Sequence, residues 1–367
     1  MTKVKAAVAT TIGEPLTVTT INLDEPRAGE VQVRMVATGV CHTDAVMRDG
    51  WIPTTMPVVL GHEGAGIVEK VGPGVTHVSP GDHVVLSVNS CGSCAACLSG
   101  HPAYCAQQYA TNFAGARLDG STAFSDDEGN PISSHFFGQS SFAELTNVSA
   151  RSVVKVPDDV PLDLLGPLGC GIQTGAGAVL NVLRPAATDS LVVFGTGAVG
   201  MSAIMAAAAT RVGTIIAVDI VPARLEAALE LGATHTINSA EEDAVERIRE
   251  ITGGGTSHAV DTTGNKVVFK QLVDTLAMGG HAGAIGASAP GSEGIVDLPN
   301  ALARGISITW IVEGDAVPQT FIPELIALYR AGDLPFDKMV KTYAFDDINT
   351  AFAESENGSV LKPIVRF

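Results

Sequence analysis

The sequence predicts an α/β protein in two parts: an irregular β body, then strands and helices that alternate as in a doubly wound parallel sheet. Two patterns carry this expectation. Short β-type runs at Val4–Val8, Val31–Val36, Gly66–Val71 and His83–Val88 are separated by turn sequences such as Gly72-Pro73-Gly74 and Pro80-Gly81-Asp82, the mark of short strands joined by tight turns. From Leu191 the texture changes: an apolar run Leu191–Phe194, a glycine turn, an alanine-rich stretch Met201–Thr210 and a second apolar run Thr214–Val218. That order is a βαβ unit, which places its strands in parallel. Apolar runs at Ala259-Val260, His281–Ile285 and Ile306–Val312, with a helical stretch Lys266–Leu276 between them, continue the sheet. The last stretch, Phe321–Phe367, reads as a helix and a terminal strand that return to the first part.

Composition bounds the function. A chain of 367 residues with 46% hydrophobic and 17% charged residues can bury a large core, more than one domain's worth. A net charge of −17, without a run of five or six basic residues, opposes nucleic acid and anionic membrane surfaces as partners. The opening residues lack the apolar core of a signal peptide and no stretch offers eighteen uninterrupted apolar residues, so a cytoplasmic setting is expected. In a reducing compartment six cysteines are better ligands than disulfides.

Three motifs carry chemistry. Gly195-Thr-Gly197-Ala-Val199-Gly200 follows an apolar strand and opens a helix, so backbone amides and the helix N-terminus face a pyrophosphate. Asp219 closes the next strand, where a carboxylate accepts hydrogen bonds from both adenosine ribose hydroxyls and repels a 2'-phosphate, favouring NAD over NADP. Arg224 follows close enough to reach the same ribose. A glycine turn of some other α/β fold is the alternative. Cys91, Cys94, Cys97 and Cys105 supply four thiolates from one loop and suit a closed, structural Zn²⁺ site. An iron–sulfur cluster is the rival, against which the long last spacing and Ala106 after Cys105 count. Cys41, His62 and Cys170 are scattered, and spacing alone does not join them; a lone cysteine is as often a small buried hydrophobe.

Together, Gly61-His-Glu-Gly64, the four-cysteine loop and the Gly195–Gly200 turn resemble the zinc-containing medium-chain dehydrogenase/reductase family from end to end. Within it, Cys41-His-Thr-Asp44, Gly50-Trp51, His135-Phe-Phe-Gly138 and Trp310-Ile-Val-Glu-Gly-Asp315 resemble the aryl-alcohol (benzyl alcohol) dehydrogenase branch, which includes enzymes of allylic terpene alcohols such as geraniol. The resemblance implies a GroES-like catalytic domain over residues 1–171, a Rossmann NAD domain over 172–311 and a return to the catalytic domain over 312–367. It implies two zinc ions per subunit, a catalytic one on Cys41, His62 and Cys170 with the fourth position left for water or substrate oxygen. Glu63 matches a glutamate that approaches the zinc during ligand exchange, and Asp44 an acid that orients the zinc-bound histidine. Gly195, Gly197, Val199, Gly200, Asp219, Arg224 and Ile285 match cofactor positions; Thr174 approaches the nicotinamide, and His42 and Lys362 the pyrophosphate.

The implied reaction is reversible oxidation of a primary alcohol to its aldehyde, with hydride transfer to NAD⁺. Thr43 matches the first station of a proton relay; read alone, it is as well a helix N-cap. Relatives with a long relay carry histidine where this chain has Val46, so the proton is expected to leave through ribose and water, with His42 as an acceptor. Trp51, Phe136, Phe137 and Ile311 are the candidate pocket walls for a planar, apolar alcohol, although each could equally be core. A broad aliphatic or polyol dehydrogenase, and a non-catalytic NAD-binding zinc protein, are the competing readings. The apolar edge Gly305–Val312 suggests a homodimer or homotetramer.

Overall fold

The longest strand, Glu30–Gly39, runs through the sheet that carries the first unit of the chain. The structure, a computed structural model, describes residues 1–367. They divide into a unit of Met1–Cys170, Val317–Glu324 and Asp337–Phe367, and a unit of Gly171–Ala316 with Leu325–Phe336.

In the first unit, Glu30–Gly39 pairs antiparallel with Glu63–Val71, Leu145–Ser149 and Lys362–Arg366. The terminal strand pairs into this sheet, whereas residues 312–316 and 325–336 of the expected return belong to the second unit. A second sheet is built on Thr2–Ala9 and Thr17–Leu23, extended by two-residue strands at Val58–Val59, Phe124–Ser125 and Pro131–Ile132. Register shifts at Gln32/Val33 and Met35/Ala37 add to the irregularity. Val31, Val33, Val68, Val84, Leu86 and Val148 form one core cluster, and Val4, Leu60, Phe136, Phe142 and Phe352 belong to another.

The second unit is a six-stranded, wholly parallel sheet. Numbered along the chain, its strands Ser190–Phe194, Thr214–Asp219, His235–Asn238, Thr256–Asp261, Leu276–Ala284 and Ser307–Trp310 lie in the order 3-2-1-4-5-6. That is the doubly wound dinucleotide-binding order, with the crevice at the carboxyl ends of strands 1 and 4. Helices cover both faces of such a sheet, so inner strands read as unbroken apolar runs; Val192, Val193, Ile216, Ala217, Ala259 and Val260 are all fully buried. The outer edge is different, since Trp310 is 65% exposed, and Met278, Ile295, Leu298 and Leu302 stand open as well.

A buried polar cluster opens the longest strand. Glu30 accepts from Arg117 Nε (2.5 Å) and Nη2 (3.2 Å), lies 3.0 Å from His135 Nε2 and caps the Arg27 amide at 2.8 Å. Burial alone would raise its carboxyl pKa, but His135, Arg117 and the Arg27 amide more than reverse that and hold it at about 2. A carboxylate held below its ordinary value of 4.5 stabilises the fold fully above that pH and loses the benefit as pH falls through its folded value. Glu30→Gln should therefore cost on the order of 2 kcal/mol at pH 7, measured by urea unfolding, with the deficit shrinking between pH 5 and 3. A pH-independent deficit would contradict this account.

Candidate active site

The cluster is assembled around one carboxylate. Cys41 is the N-cap of the helix His42–Arg48, and Asp44 in its first turn folds back so that Oδ2 accepts the Cys41 amide at 3.0 Å. Asp44 Oδ1 accepts the Gly61 amide at 3.0 Å and lies 2.9 Å from His62 Nδ1. With Nδ1 donating to the carboxylate, the imidazole presents a bare Nε2, and that atom is buried without a hydrogen-bond partner. Ligand atoms of Cys41, His62, Glu63 and Cys170 all lie within 4.8 Å of one another. Two soft thiols and an orphaned imidazole nitrogen are the donor set of a catalytic zinc with an open position. The Cys170 thiol's hydrogen bond holds the Cys41 thiol well below its ordinary range, against burial, with help from the Lys362 ammonium.

Two further side chains fix the ligand backbones. Gln139 Nε2 donates to the His62 carbonyl at 2.9 Å while its Oε1 accepts the Gly64 amide at 3.2 Å, and Ser87 Oγ donates to the Gly169 carbonyl at 2.6 Å, beside Cys170. Neither was expected from the sequence: Ser87 is a polar residue inside the apolar run His83–Val88, and Gln139 stands among Gly138, Ser140 and Ser141 without a comparable signal. Glu63 is fully buried, and Lys362 Nζ donates to both its oxygens at 2.9 Å. Lys362, expected at a pyrophosphate, is thus 3% exposed and committed to Glu63. A buried ammonium requires a counter-ion; burial opposes its charge, yet Glu63 and the thiols hold its pKa above the usual lysine value. Room for this carboxylate comes from Gly39, where a Cβ would stand 1.9 Å from Glu63 Oε2.

Of the remaining residues predicted for this unit, Thr43 Oγ1 lies 3.9 Å from Cys41 Sγ, and His42 is exposed at the start of the same helix. Val46 is buried on that helix. Phe137 stacks on the His62 ring (centroids 4.6 Å apart, planes at 29°) and Phe136 meets it edge-on at 5.3 Å. Phe136 and Phe137, 1% and 5% exposed, both belong to the buried core cluster. Trp51 is 48% exposed and makes no ring contact with the phenylalanines.

The four-cysteine loop brings its sulfurs within 4.8 Å of one another, with Cys94–Cys97 at 3.5 Å and Cys91–Cys97 at 4.0 Å. Sulfurs on a tetrahedral Zn²⁺ at 2.3 Å would stand about 3.8 Å apart, so the loop is already shaped for the ion. Backbone amides point at the thiols: Cys91 N and Gln107 N at Cys105 Sγ, and Ala106 N at Cys94 Sγ. Amides of Ser93 and Cys94 draw the Cys91 thiol down to about 6, favouring the thiolate a metal needs.

In the second unit, Gly195 has φ +85°, and Gly197 caps the helix Ala198–Ala209. A Cβ on Gly197 would meet nothing within 4 Å, which leaves the approach to the turn clear for a phosphate. Val199 lies in the helix's first turn and Gly200 is buried in it. Asp219 ends its strand as predicted, with Oδ2 accepting Thr196 N (2.7 Å) and Oγ1 (2.8 Å), and Oδ1 accepting the amides of Ile220 and Val221. Arg224 follows on the helix Pro222–Glu230. Ile285 leaves the strand Leu276–Ala284 half-buried. Thr174 is buried on the helix Gly171–Gly177. Ile311, proposed as a pocket wall, is 2% exposed, and a Cβ on Gly283 would come within 2.7 Å of it, a core environment.

Comparisons with known proteins agree with this geometry. Residues 27–158 match the model of the alcohol dehydrogenase GroES-like domain and residues 198–330 that of the zinc-binding dehydrogenase. The geraniol dehydrogenase of Castellaniella defragrans is 46% identical over 99% of this chain and 97% of its own length. A benzyl alcohol dehydrogenase from Acinetobacter calcoaceticus superposes with a TM-score of 0.97 at 46% identity over both full chains. An alcohol dehydrogenase zinc-binding domain protein from Burkholderia ambifaria gives 0.98 at 53% identity, covering 100% of this chain and 99% of that one. The chain therefore belongs to the zinc-dependent medium-chain dehydrogenase/reductase family and is an NAD-dependent zinc alcohol dehydrogenase.

Proposed function

We propose that the substrate is a planar, apolar primary alcohol, aryl or allylic, oxidised reversibly to its aldehyde. The observation that carries this is the Phe137 ring stacked on the His62 imidazole, an aromatic face beside the residue that would hold the metal. The names of two relatives, a geraniol and a benzyl alcohol dehydrogenase, support the same class.

Cys41, His62 and Cys170 would hold the catalytic zinc, and Cys91, Cys94, Cys97 and Cys105 a structural one. When bound, Zn²⁺ lowers the pKa of the alcohol hydroxyl and NAD⁺ accepts the α-hydride. Asp44 keeps the His62 tautomer that leaves Nε2 to the metal. Thr43 Oγ1 accepts the alcohol proton, and His42, exposed one residue before it, relays it to water in place of the histidine that Val46 excludes. Gly195, Gly197 and the helix they open receive the pyrophosphate; Asp219 reads the ribose.

No helix is long and apolar enough to cross a membrane. No disulfide joins any of the six cysteines, which suits the cytoplasm we assign to the enzyme. A second copy of the chain is the occupant we propose for the open edge strand Ser307–Trp310, giving a dimer or a tetramer.

The reading is tested by zinc analysis with NAD⁺ reduction on benzyl alcohol, geraniol, ethanol and sorbitol, before and after chelation. Two zincs per chain and chelator-sensitive turnover, with kcat/KM highest on benzyl alcohol or geraniol, are expected; a higher value on ethanol or sorbitol would overturn the substrate class. Asp44→Asn should weaken zinc at Cys41, His62 and Cys170 by roughly 10–100-fold in chelator competition and leave the loop zinc in place; equal retention of both ions would remove Asp44 from this role. Asp219→Asn should reduce kcat/KM for NAD⁺ by roughly tenfold and narrow the preference over NADP⁺, whereas an unchanged ratio would mean that Asp219 serves only the turn amides.

A further inference from the structure

The ring that faces His62 sits on a strained turn. His135 (φ +61°), Phe137 (φ +52°) and Ser140 (φ +56°) are three non-glycine residues in the left-handed region within six positions. Each is disfavoured for an L-residue and persists only where its surroundings impose it. Around Phe136-Phe137 the imposing contacts are Ser140 Oγ, which accepts the Phe136 amide at 3.0 Å and donates to the Val59 carbonyl at 2.6 Å, and Ser152 Oγ, which donates to the Phe137 carbonyl at 3.2 Å.

At the start of the turn the contact is ionic. His135, 6% exposed, lies 2.8 Å from Ser134 Oγ through Nδ1 and 3.0 Å from Glu30 Oε1 through Nε2. Glu30 cannot swing away, because Arg117 grips both its oxygens. Arg117 itself is fixed by the Thr122 carbonyl (2.7 Å) and Asp24 (3.2 Å). A chain of charge-assisted bonds therefore runs from the rigid strand Glu30–Gly39 to the residue two before Phe137. None of Glu30, Arg117 and His135 belongs to the cysteine–histidine cluster.

We propose that Glu30, tethering His135, is a positioning device for substrate selection: it holds the left-handed turn that lays Phe137 flat over His62, and so sets the preference for planar unsaturated over short saturated alcohols. This rests on the aryl and allylic reading above. A flat aromatic face gains from stacking a planar substrate and gains little from ethanol, so its tilt acts on the KM of one class only. Arg117 serves by keeping Glu30 in place, at a distance from the reacting atoms.

The test uses the zinc-loaded enzyme with NAD⁺. His135→Asn keeps a residue that tolerates the left-handed region and is too short to reach Glu30. His135→Gly adopts the turn without strain and removes the tether outright. Both should raise KM for benzyl alcohol by roughly tenfold, with the calorimetric Kd rising in step. The KM for ethanol and kcat on either alcohol should stay within about twofold, and zinc content unchanged. Phe137→Leu, the reference variant, should give the same split. If both His135 variants keep the parental KM ratio, or raise both KM values equally, while Phe137→Leu abolishes the aryl preference, the tether is overturned and the substrate reading stands. If Phe137→Leu leaves the aryl preference intact, both are overturned.

Discussion

A single buried carboxylate organises the catalytic half of this enzyme. Asp44 is fully buried, and an isolated charge there would cost several kcal/mol. It is tolerated because three N–H groups converge on it: the Cys41 amide, the Gly61 amide and His62 Nδ1. Those groups come from two segments that each carry a metal-ligand candidate, so satisfying the charge also brings Cys41 and His62 together before any ion arrives. Replacing the carboxylate with an apolar group would leave those donors unpaired. The fold could then bury the segments only by separating them or letting water in. Stability and metal-site geometry thus rest on the same three bonds.

The second constraint is the packing of Glu63 beside Gly39. Glu63 follows His62 directly, so wherever the imidazole is fixed a carboxylate must be buried next to it. The chain meets this with a small residue opposite, Gly39, and an ammonium from its C-terminal strand, Lys362. That strand is locked to Glu30–Gly39 by antiparallel pairing at Ile364–Gly39. The return of the C-terminus to the first unit is therefore more than topology, because it delivers the counter-ion that the buried glutamate needs.

Legibility in the sequence followed the range of the interactions involved. The parallel sheet was readable because inner strands are buried on both faces, leaving runs such as Leu191–Phe194. The glycine turn and the four-cysteine loop were readable because all their chemistry lies within a few residues. The strand His235–Asn238 and the helix Ala244–Thr252 went unread: the strand fully buries only Ile237 and the helix only Ala244 and Ile248. The helix did carry local signals, an Asp243 cap and Gly253 in the left-handed conformation at its end. Cys41, His62 and Cys170 could be joined only through family resemblance, since nothing in their spacing encodes an approach made by three separate segments.

The hardest features to read were those that depend on strain and on competing partners. Left-handed histidine, phenylalanine and serine at 135, 137 and 140 leave no mark in composition, unlike a glycine in the same conformation. The family resemblance places Lys362 at the pyrophosphate, yet its position on a buried strand makes the nearest carboxylate its first partner. Phe136 and Phe137 look equivalent in sequence, and both are buried in one core cluster, but Phe136 meets the His62 imidazole edge-on whereas Phe137 stacks on it. What separates them is a backbone turned left-handed at Phe137, held by Ser152 on its carbonyl and, through His135, by Glu30 more than a hundred positions away in the chain.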